Sequence, residues 1–324
     1  MGRFRNAILI AAAGGFALAA AMMAQDQPTF KVDVRLVRIL ATVKDPMGRL
    51  VGGLDKSDFR VFDNGVAQDI ALFERNTAQP LSIALLVDTS RSTERERRFE
   101  IDSINKFVSR LTGEGNPGDT LALFSFNTDV TALTSFTRAR GAIRNGLGEL
   151  KSEGGTALYD AIYLAAGELR RREGRHVVLV VSDGGDTVSR LPFQKALEAL
   201  HSADAVLYAV VTVPVRGEAG RNLRGENALI TLSTWTGGQF FMPTPGAELD
   251  DAFARVIRDL RTQYMIGFYP KNLPLTKERF HKVTLQVDRD NHTVSSRNGY
   301  YSDDIVPASN QGGPKPLEAP PGVR

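Results

Sequence analysis

The stretch LSIALLVDTSRS, Leu81 to Ser92, joins an apolar run directly to a cluster of acidic and hydroxyl side chains. Its apolar part, Ile83–Val87, is nearly continuous, which is typical of a strand that helices cover on both faces. Further strands are predicted at Thr120–Phe126, His176–Val181, Ala205–Val213 and Gln239–Met242.

Segments with helical periodicity alternate with these strands. They are Thr93–Leu111, Arg138–Leu150, Ala157–Arg172, Pro192–Ser202, Asn227–Thr234 and Ala247–Arg261. Strands and helices that alternate along a chain form a doubly wound, mostly parallel sheet, as in Rossmann-like folds. The sequence therefore predicts an α/β domain of this class over residues 80–262.

Two β segments flank the predicted α/β domain. Residues 28–76 are predicted to be a β segment: Phe30–Asp45 alternates apolar and polar side chains with period two, and Asn64-Gly65 is a strong hairpin signal. Residues 263–302 return to β character. Because each segment is too small to bury a core alone, we expect them to pair as a small β-sandwich-like domain around the inserted α/β domain. The alternative is two separate β extensions that lie on the α/β domain.

The chain begins with a pattern typical of a secretory signal. Two arginines precede the apolar run Ala7–Ala21, which is short for a bilayer span of about 20 residues. We predict a signal peptide over residues 1–24, cleaved after Ala24 or Ala21, with no stable membrane span after cleavage; the alternative is a retained anchor. The chain has no cysteine for disulfides or lipid attachment. We therefore expect a bacterial protein that is exported to the periplasm or secreted.

Charge does not point to a nucleic-acid partner. The formal net charge is +3, and loss of Arg3 and Arg5 with the signal peptide would leave +1 (3 − 2). The basic run Arg170–Arg175 is interpreted as a solvated helix end. The Pro- and Gly-rich residues 303–324 are predicted to be a disordered tail.

Familiar catalytic and nucleotide-binding motifs do not explain the sequence. Gly113–Gly118 matches G-x-G-x-x-G, but it follows a predicted helix and leads into a strand, which reverses the order of a dinucleotide-binding motif. We interpret it as a turn. The four histidines are scattered without ligand spacing, and no G-x-x-x-x-G-K-[ST], G-x-S-x-G or H-E-x-x-H occurs.

Three loops at one edge of the predicted sheet share a different chemistry. In an open α/β sheet, ligands bind beyond the carboxyl ends of the strands. Asp88–Ser92 and Ser182–Thr187 follow two predicted strands, and Gly154–Thr156 opens a helix at the same edge. All their side-chain donors are hard oxygens, which Mg²⁺ prefers. The loops therefore predict a divalent-metal site, for Mg²⁺ or alternatively Mn²⁺ or Ca²⁺.

Five residues of these loops are the candidate ligands. The hydroxyls of Ser90, Ser92 and Thr156 would be neutral direct ligands, and Asp88 and Asp183 would hold coordinated waters or complete the shell. Because neutral ligands leave the cation poorly neutralised, we expect it to attract an Asp or Glu carboxylate from a protein partner.

The motifs LLVDTSRS, GGTALYDA and VVSDGGDT, in that order, resemble the metal-ion-dependent adhesion site loops of von Willebrand factor type A domains. The resemblance covers roughly residues 81–261. The flanking VKDPMGRLVGGLDKSDFRVFDNG, RTQYMIGFYP and RNGYY resemble the related proteins of acidobacterial type. The resemblance of the three loops implies a metal-dependent adhesion module without catalysis. Its metal-site positions would be Asp88, Ser90, Ser92, Thr156 and Asp183. Arg91 departs from the glycine usual there, and would either weaken divalent binding or give an acidic ligand a second contact.

Other interpretations of the same residues stay open. Ser92 and Thr156 would also serve as helix N-caps, and Asp183 as a turn residue. Asp186 would be an outer carboxylate or a surface charge, and Asp160 would orient the preceding threonine or be a plain helix residue.

Two other functions are also compatible with the sequence. Asp88 would be a phosphoryl-accepting nucleophile with Mg²⁺ held by Asp183, although Ser90 stands where such enzymes carry a second Asp. Alternatively, the chain would be a metal-free structural subunit of an envelope assembly.

Overall fold

The computed structural model of the protein describes residues 36–75, 78–94, 97–183, 185–212, 223–273 and 278–302. Of Ser92 it describes the backbone only. The predicted signal peptide over residues 1–24 and the predicted disordered tail over residues 303–324 lie outside the described residues, so both stay predictions.

A six-stranded sheet forms the centre of the α/β domain. Its strands are β5 (Leu81–Asp88), β6 (Thr120–Phe126), β7 (Val130–Ala132), β8 (Arg175–Ser182), β9 (Ala205–Val211) and β10 (Phe240–Phe241). They lie in the order β10-β9-β8-β5-β6-β7. All neighbours pair in parallel except the short edge strand β7, which is antiparallel to β6. The predicted fold class is confirmed.

Helices cover both faces of this sheet. They are α1 (Arg97–Glu114), α2 (Arg140–Gly148), α3 (Leu158–Leu169), α4 (Phe193–Ser202), α5 (Leu223–Thr236) and α6 (Ala247–Thr262). Leu85 and Val87 of β5 pack into the core under α1, α2 and α6, whereas Ala84 and Leu86 pack into the core under α3, α4 and α5. This two-sided burial explains the continuous apolar run. Among the helices described, none is long and apolar enough to cross a membrane.

The helix predicted to begin at Thr93 begins later. A single 3₁₀ turn spans Arg91–Thr93, and α1 starts at Arg97. The Thr93 hydroxyl lies 3.0 Å from the carbonyl oxygen of Asp88 and 3.1 Å from that of Ser90, and donates to them. The side chain therefore holds a turn together at the place where the periodicity alone predicted the first turn of a helix.

Other boundaries differ by a few residues. The helices predicted over Arg138–Leu150 and Ala157–Arg172 are shorter at both ends, and the helix predicted over Asn227–Thr234 is longer at both ends. The strand predicted over Gln239–Met242 is shorter, and Val213, the predicted end of another strand, lies outside the described residues.

The interpretation of Arg170–Arg175 as a solvated helix end is wrong for its last residue. Helix α3 ends at Leu169, and Arg175 is the buried first residue of β8. Its guanidinium donates to the carbonyl oxygen of Gln79 at 3.2 Å and to that of Leu260. The arginine thus satisfies backbone acceptors inside the protein, where charge composition alone predicted a solvent contact.

The flanking segments form two four-stranded antiparallel sheets. Their strands are β1 (Val37–Lys44), β2 (Phe59–Asp63), β3 (Val66–Gln68), β4 (Ile70–Glu74), β11 (Tyr264–Phe268), β12 (Phe280–Val287), β13 (Thr293–Ser296) and β14 (Gly299–Tyr301). The predicted turn at Asn64-Gly65 joins β2 and β3, with φ of 46° and 82°. Two successive positive φ values are those of the hairpin turn that Asn-Gly favours.

Both sheets contain strands from the two ends of the chain. The strand orders are β13-β1-β11-β4 and β14-β12-β2-β3, so each sheet mixes strands from before and after the α/β domain. Ile39, Val61, Ile266 and Leu285 belong to a single apolar core between the sheets. The flanks therefore build one sandwich-like unit, while the boundaries of the domains stay a prediction.

The sandwich is attached to the α/β domain through neighbouring strands. Glu74, the last residue of β4, pairs with Met265 near the start of β11. Side contacts add to this connection: Lys44 Nζ donates to Gln239 Oε1 at 2.6 Å, and the Asn298 N–H donates to the Trp235 carbonyl at 2.9 Å.

Candidate metal-binding site

Asp88 lies at the carboxyl end of the central strand β5, where its side chain is fully buried. Its Oδ1 accepts the Ser90 backbone N–H at 2.8 Å, and its Oδ2 accepts the Ser182 hydroxyl at 2.6 Å. Burial raises the pKa of Asp88 to about 6, and the nearby Asp183 charge acts in the same direction, while the bonds from Ser182 and Ser90 oppose both. The carboxylate is therefore fixed in place but poorly solvated.

The first loop, between β5 and α1, is anchored to its neighbours. The Thr89 N–H donates to the Phe126 carbonyl at 2.7 Å, and the Thr89 carbonyl accepts the Glu153 N–H at 3.0 Å. Ser90 follows in extended conformation, with φ −63° and ψ 163°, and is buried. Ser92 lies inside the 3₁₀ turn, so it does not begin α1 as a cap.

The second loop presents Thr156 at the same edge of the sheet. The Thr156 N–H donates to the Thr187 hydroxyl at 2.8 Å, and the Thr156 carbonyl accepts the Thr187 N–H at 2.9 Å. The N-cap position of α3 is Ala157, so Thr156 is not the helix cap. Its hydroxyl forms no hydrogen bond with another described residue, although the residue is buried. Gly154 provides the positive φ of 60° that this loop requires.

The third loop carries Asp183 directly after β8. Its Oδ1 accepts the Gly185 N–H at 3.3 Å, a short-range contact that keeps the carboxylate at the strand end. Since its charge acts on the buried Asp88, the two predicted carboxylates lie close enough to interact. The structure thus brings together the loops of all five predicted ligands, by backbone hydrogen bonds and by this charge interaction.

Two acidic residues of the neighbourhood have structural roles. Asp160 accepts the backbone N–H groups of Arg190 at 3.0 Å and Leu191 at 2.9 Å, so the idea that it orients Thr156 is wrong. Asp186 accepts the Ser189 hydroxyl and the Tyr159 N–H at the N-terminus of α3. Asp186 therefore accepts a backbone N–H in the first turn of α3, a contact that a simple surface charge would not make.

A buried arginine lies beneath the first loop and was missed by the sequence interpretation. Arg97 donates through Nη2 to the Thr93 hydroxyl at 2.8 Å and to the Ser90 carbonyl at 3.5 Å. Burial lowers its pKa, and the charges of Glu100, Asp88 and Glu94 act against that shift. No signal separates it from its neighbours, because RERRFE has the composition of a solvated helix start.

Arg91, the residue that departs from the loop pattern, points to solvent. Its side chain is exposed and makes no hydrogen bond or ion pair with another described residue. It lies one residue after Ser90, in the first position of the 3₁₀ turn. An exposed cation at this position acts on any charge that approaches the loop.

Part of the α/β domain matches a known protein family in sequence. Residues 83–185 match the family described as von Willebrand factor type A domain. The chain is similar to the vWF domain of the type V pili tip protein Mfa5 from Porphyromonas gingivalis, at 15% identity and a TM-score of 0.46, covering 56% of this chain and 95% of that one. It is also similar to von Willebrand factor type A from Catenulispora acidiphila, at 11% identity and a TM-score of 0.46, covering 86% and 78%. No curated protein matches this chain.

The family match identifies residues 83–185 as a von Willebrand factor type A domain. It confirms the resemblance inferred from the three loop motifs, whereas the relationship of the flanks to acidobacterial-type proteins stays a prediction. Domains of this class mediate protein–protein interactions. The chain therefore carries a protein-interaction domain, with its polar loops at the carboxyl edge of the sheet.

Proposed function

We propose that this protein is exported and that it binds a protein partner through a divalent cation. Asp88, Ser90, Ser92, Thr156 and Asp183 would hold Mg²⁺, or Mn²⁺ or Ca²⁺, and the partner would supply an Asp or Glu carboxylate. The cation would bridge the two proteins by accepting oxygen ligands from both. The domain would have no catalytic activity of its own.

The buried Asp88 carries the proposal. An ionised carboxylate without solvent is unfavourable unless hydrogen bonds or a cation compensate for the lost hydration. Ser90 and Ser182 supply hydrogen bonds to both carboxylate oxygens, yet burial and the Asp183 charge still hold the pKa of Asp88 at about 6. A divalent cation beside the two carboxylates would favour the ionised state.

The remaining donors fit a hard cation. The described residues contain no group of three or more His, Asp or Glu that could hold a metal. Hydroxyls and water would therefore supply much of the shell of a bound cation. Mg²⁺ keeps several waters and accepts few protein ligands. Thr156, whose hydroxyl has no other hydrogen-bond partner among the described residues, is suited to such a role.

The residue at position 90 argues against Asp88 as a phosphoryl-accepting nucleophile. Ser90 leaves the position of a general acid and base without a carboxylate.

The test is calorimetric titration of Mn²⁺ and Mg²⁺ into wild type, Asp88→Ala and Asp129→Ala. Asp129 is an exposed acid in the loop between β6 and β7, so its variant controls for charge loss at the surface. We expect saturable binding by wild type and Asp129→Ala and none by Asp88→Ala. Absence of binding by wild type would leave the structural-subunit interpretation, and phosphatase turnover abolished by Asp88→Ala would favour the enzyme.

The partner is sought by pull-down from an envelope fraction with the wild-type protein. Capture in Mg²⁺ that is lost in chelator, and that is lost with Asp88→Ala in Mg²⁺, is the expected result. Capture that is unaffected by both changes would show that the partner binds elsewhere.

A further inference from the structure

Buried polar residues form a connected path beneath the first loop of the candidate site. The Thr93 hydroxyl donates to the carbonyl oxygens of Asp88 and Ser90, at 3.0 and 3.1 Å. Its oxygen also accepts a hydrogen bond of 2.8 Å from Arg97 Nη2. These four residues are at most 8% exposed. The guanidinium therefore supports the loop through the hydroxyl of a buried threonine.

The path continues to the other side of the site. Glu100 lies one turn after Arg97 in α1, and its charge acts on the guanidinium. The Glu100 Oε1 accepts the Thr212 hydroxyl at 2.8 Å, and the Thr212 N–H donates to the Ser182 carbonyl at 3.1 Å. Ser182 in turn donates its hydroxyl to Asp88, so the path closes on the carboxylate from which it starts.

Burying two charged side chains on a helix that faces an apolar core is energetically costly. Glu100 is 1% exposed and Arg97 8% exposed, and a buried charge is costly unless it is paired and hydrogen-bonded. An apolar pair would fill the same space without that requirement. The two charges instead connect the ends of β5 and β9, which lie on either side of β8.

We propose that Arg97 and Glu100 are positioning residues that hold the loop of Asp88 and Ser90 in the geometry needed for cation binding. The inference rests on the proposed cation site, and extends it to residues that do not touch the cation. Outer residues of this kind commonly change metal affinity by about 10- to 100-fold when they are removed.

A purely structural role would give a different result, and the same helix offers the control. Ser103 is buried in α1 and donates to Asp250 Oδ1 at 2.6 Å, but its partner lies on α6. Ser103→Ala therefore removes a buried hydrogen bond of α1 without touching the path to Asp88.

The test measures Mn²⁺ affinity by calorimetry in the full chain, together with the melting temperature in chelator. The neutral double variant Arg97→Met with Glu100→Gln removes both charges at once, so that no net charge is gained or lost. We expect a loss of affinity of about 10-fold or more, with unchanged affinity in Ser103→Ala. Unchanged affinity in the double variant, or an equal loss in Ser103→Ala, would overturn the proposal.

A second pair of variants answers the question if the double variant does not fold. Thr93→Val keeps the shape of the side chain but removes the hydroxyl that joins Arg97 to the loop, and Thr93→Ser restores that hydroxyl. We expect a loss of about 10-fold for valine and recovery for serine. Equal affinity of the two variants would overturn the positioning role. Failure of wild type itself to bind Mn²⁺ would instead overturn the proposed function, and this inference with it.

Discussion

The Ser182 hydroxyl donates a hydrogen bond of 2.6 Å to Oδ2 of Asp88 and so joins the carboxyl ends of β8 and β5. Both residues are fully buried, which makes the bond sensitive to loss because no water replaces it. We expect Ser182→Ala to lower the free energy of unfolding in chelator by about 1–3 kcal/mol, measured by urea denaturation. Ser233→Ala is the control, since the buried Ser233 hydroxyl has no hydrogen-bond partner among the described residues. An equal effect of the two variants would contradict the prediction.

Cation affinity should fall as the pH decreases below 6. The pKa of Asp88 is raised by burial to about 6, so at lower pH a proton occupies the carboxylate that the cation needs. We expect Mn²⁺ affinity to be nearly constant between pH 7 and 8 and to fall by on the order of tenfold per unit below pH 5.5. Calorimetry over this range measures it, and a flat profile to pH 4.5 would count against Asp88 as a ligand.

The exposed Arg91 should weaken cation binding at low ionic strength. A unit charge about 8 Å from a divalent ion in water contributes on the order of 1 kcal/mol of repulsion. Arg91→Gln should therefore raise Mg²⁺ affinity by about fivefold at low salt, and less at 0.5 M salt because of screening. Arg170→Gln removes an exposed cation just after α3, toward the opposite edge of the sheet, and should change nothing. If Arg91→Gln lowers the affinity for the protein partner while raising that for Mg²⁺, the arginine contacts the partner's acid.

Asp259 should make the protein less stable as the pH rises. It is buried in α6, its Oδ2 has no hydrogen-bond partner among the described residues, and burial raises its pKa to about 6 against the opposing charges of Lys44, Arg258 and Arg255. A carboxyl whose pKa is raised on folding stabilises the folded state at low pH, and that contribution is lost as the pH rises through 6.

The variant that tests this is Asp259→Asn. We expect it to raise the free energy of unfolding at pH 7.5 by on the order of 2 kcal/mol and to have little effect at pH 4. Urea denaturation at both values measures the difference. A stabilisation that is equal at the two pH values would show that the charge of Asp259 is not the cause.

The sequence predicted the features of this protein that depend on local periodicity and on strand ends. Continuous apolar runs located β5 and β8, because both faces of these strands are buried, and the polar residues that follow them mark the edge where Asp88 and Asp183 meet. The Asn64-Gly65 turn could also be predicted from the sequence, because few other residue pairs adopt its conformation without strain.

The buried charged residues of the fold could not be predicted from the sequence in the same way. Arg97, Glu100 and Arg175 are charged residues inside the protein. Glu100 and Arg175 bond to hydroxyl or backbone groups far away in the chain, and Arg97 bonds to the hydroxyl of Thr93, four residues before it. Composition and periodicity predict that such residues face solvent. Only the tertiary structure shows that Glu100 is separated from Thr212 by the length of four strands and three helices but lies within hydrogen-bond distance of it.

The pairing of Glu74 with Met265 also determines how the protein would respond to a pulling force. A bound partner that pulls on the α/β domain transmits tension to the end of β4 and the start of β11, two neighbouring antiparallel strands. Their hydrogen bonds lie perpendicular to the strands. Tension applied at this end of the pair would therefore break the hydrogen bonds one after another and not all at once. The side contacts Lys44–Gln239 and Asn298–Trp235 would carry load before that opening begins. Under a load applied through a bound partner, the junction between the α/β domain and the sandwich would therefore open first, while the α/β core stays folded.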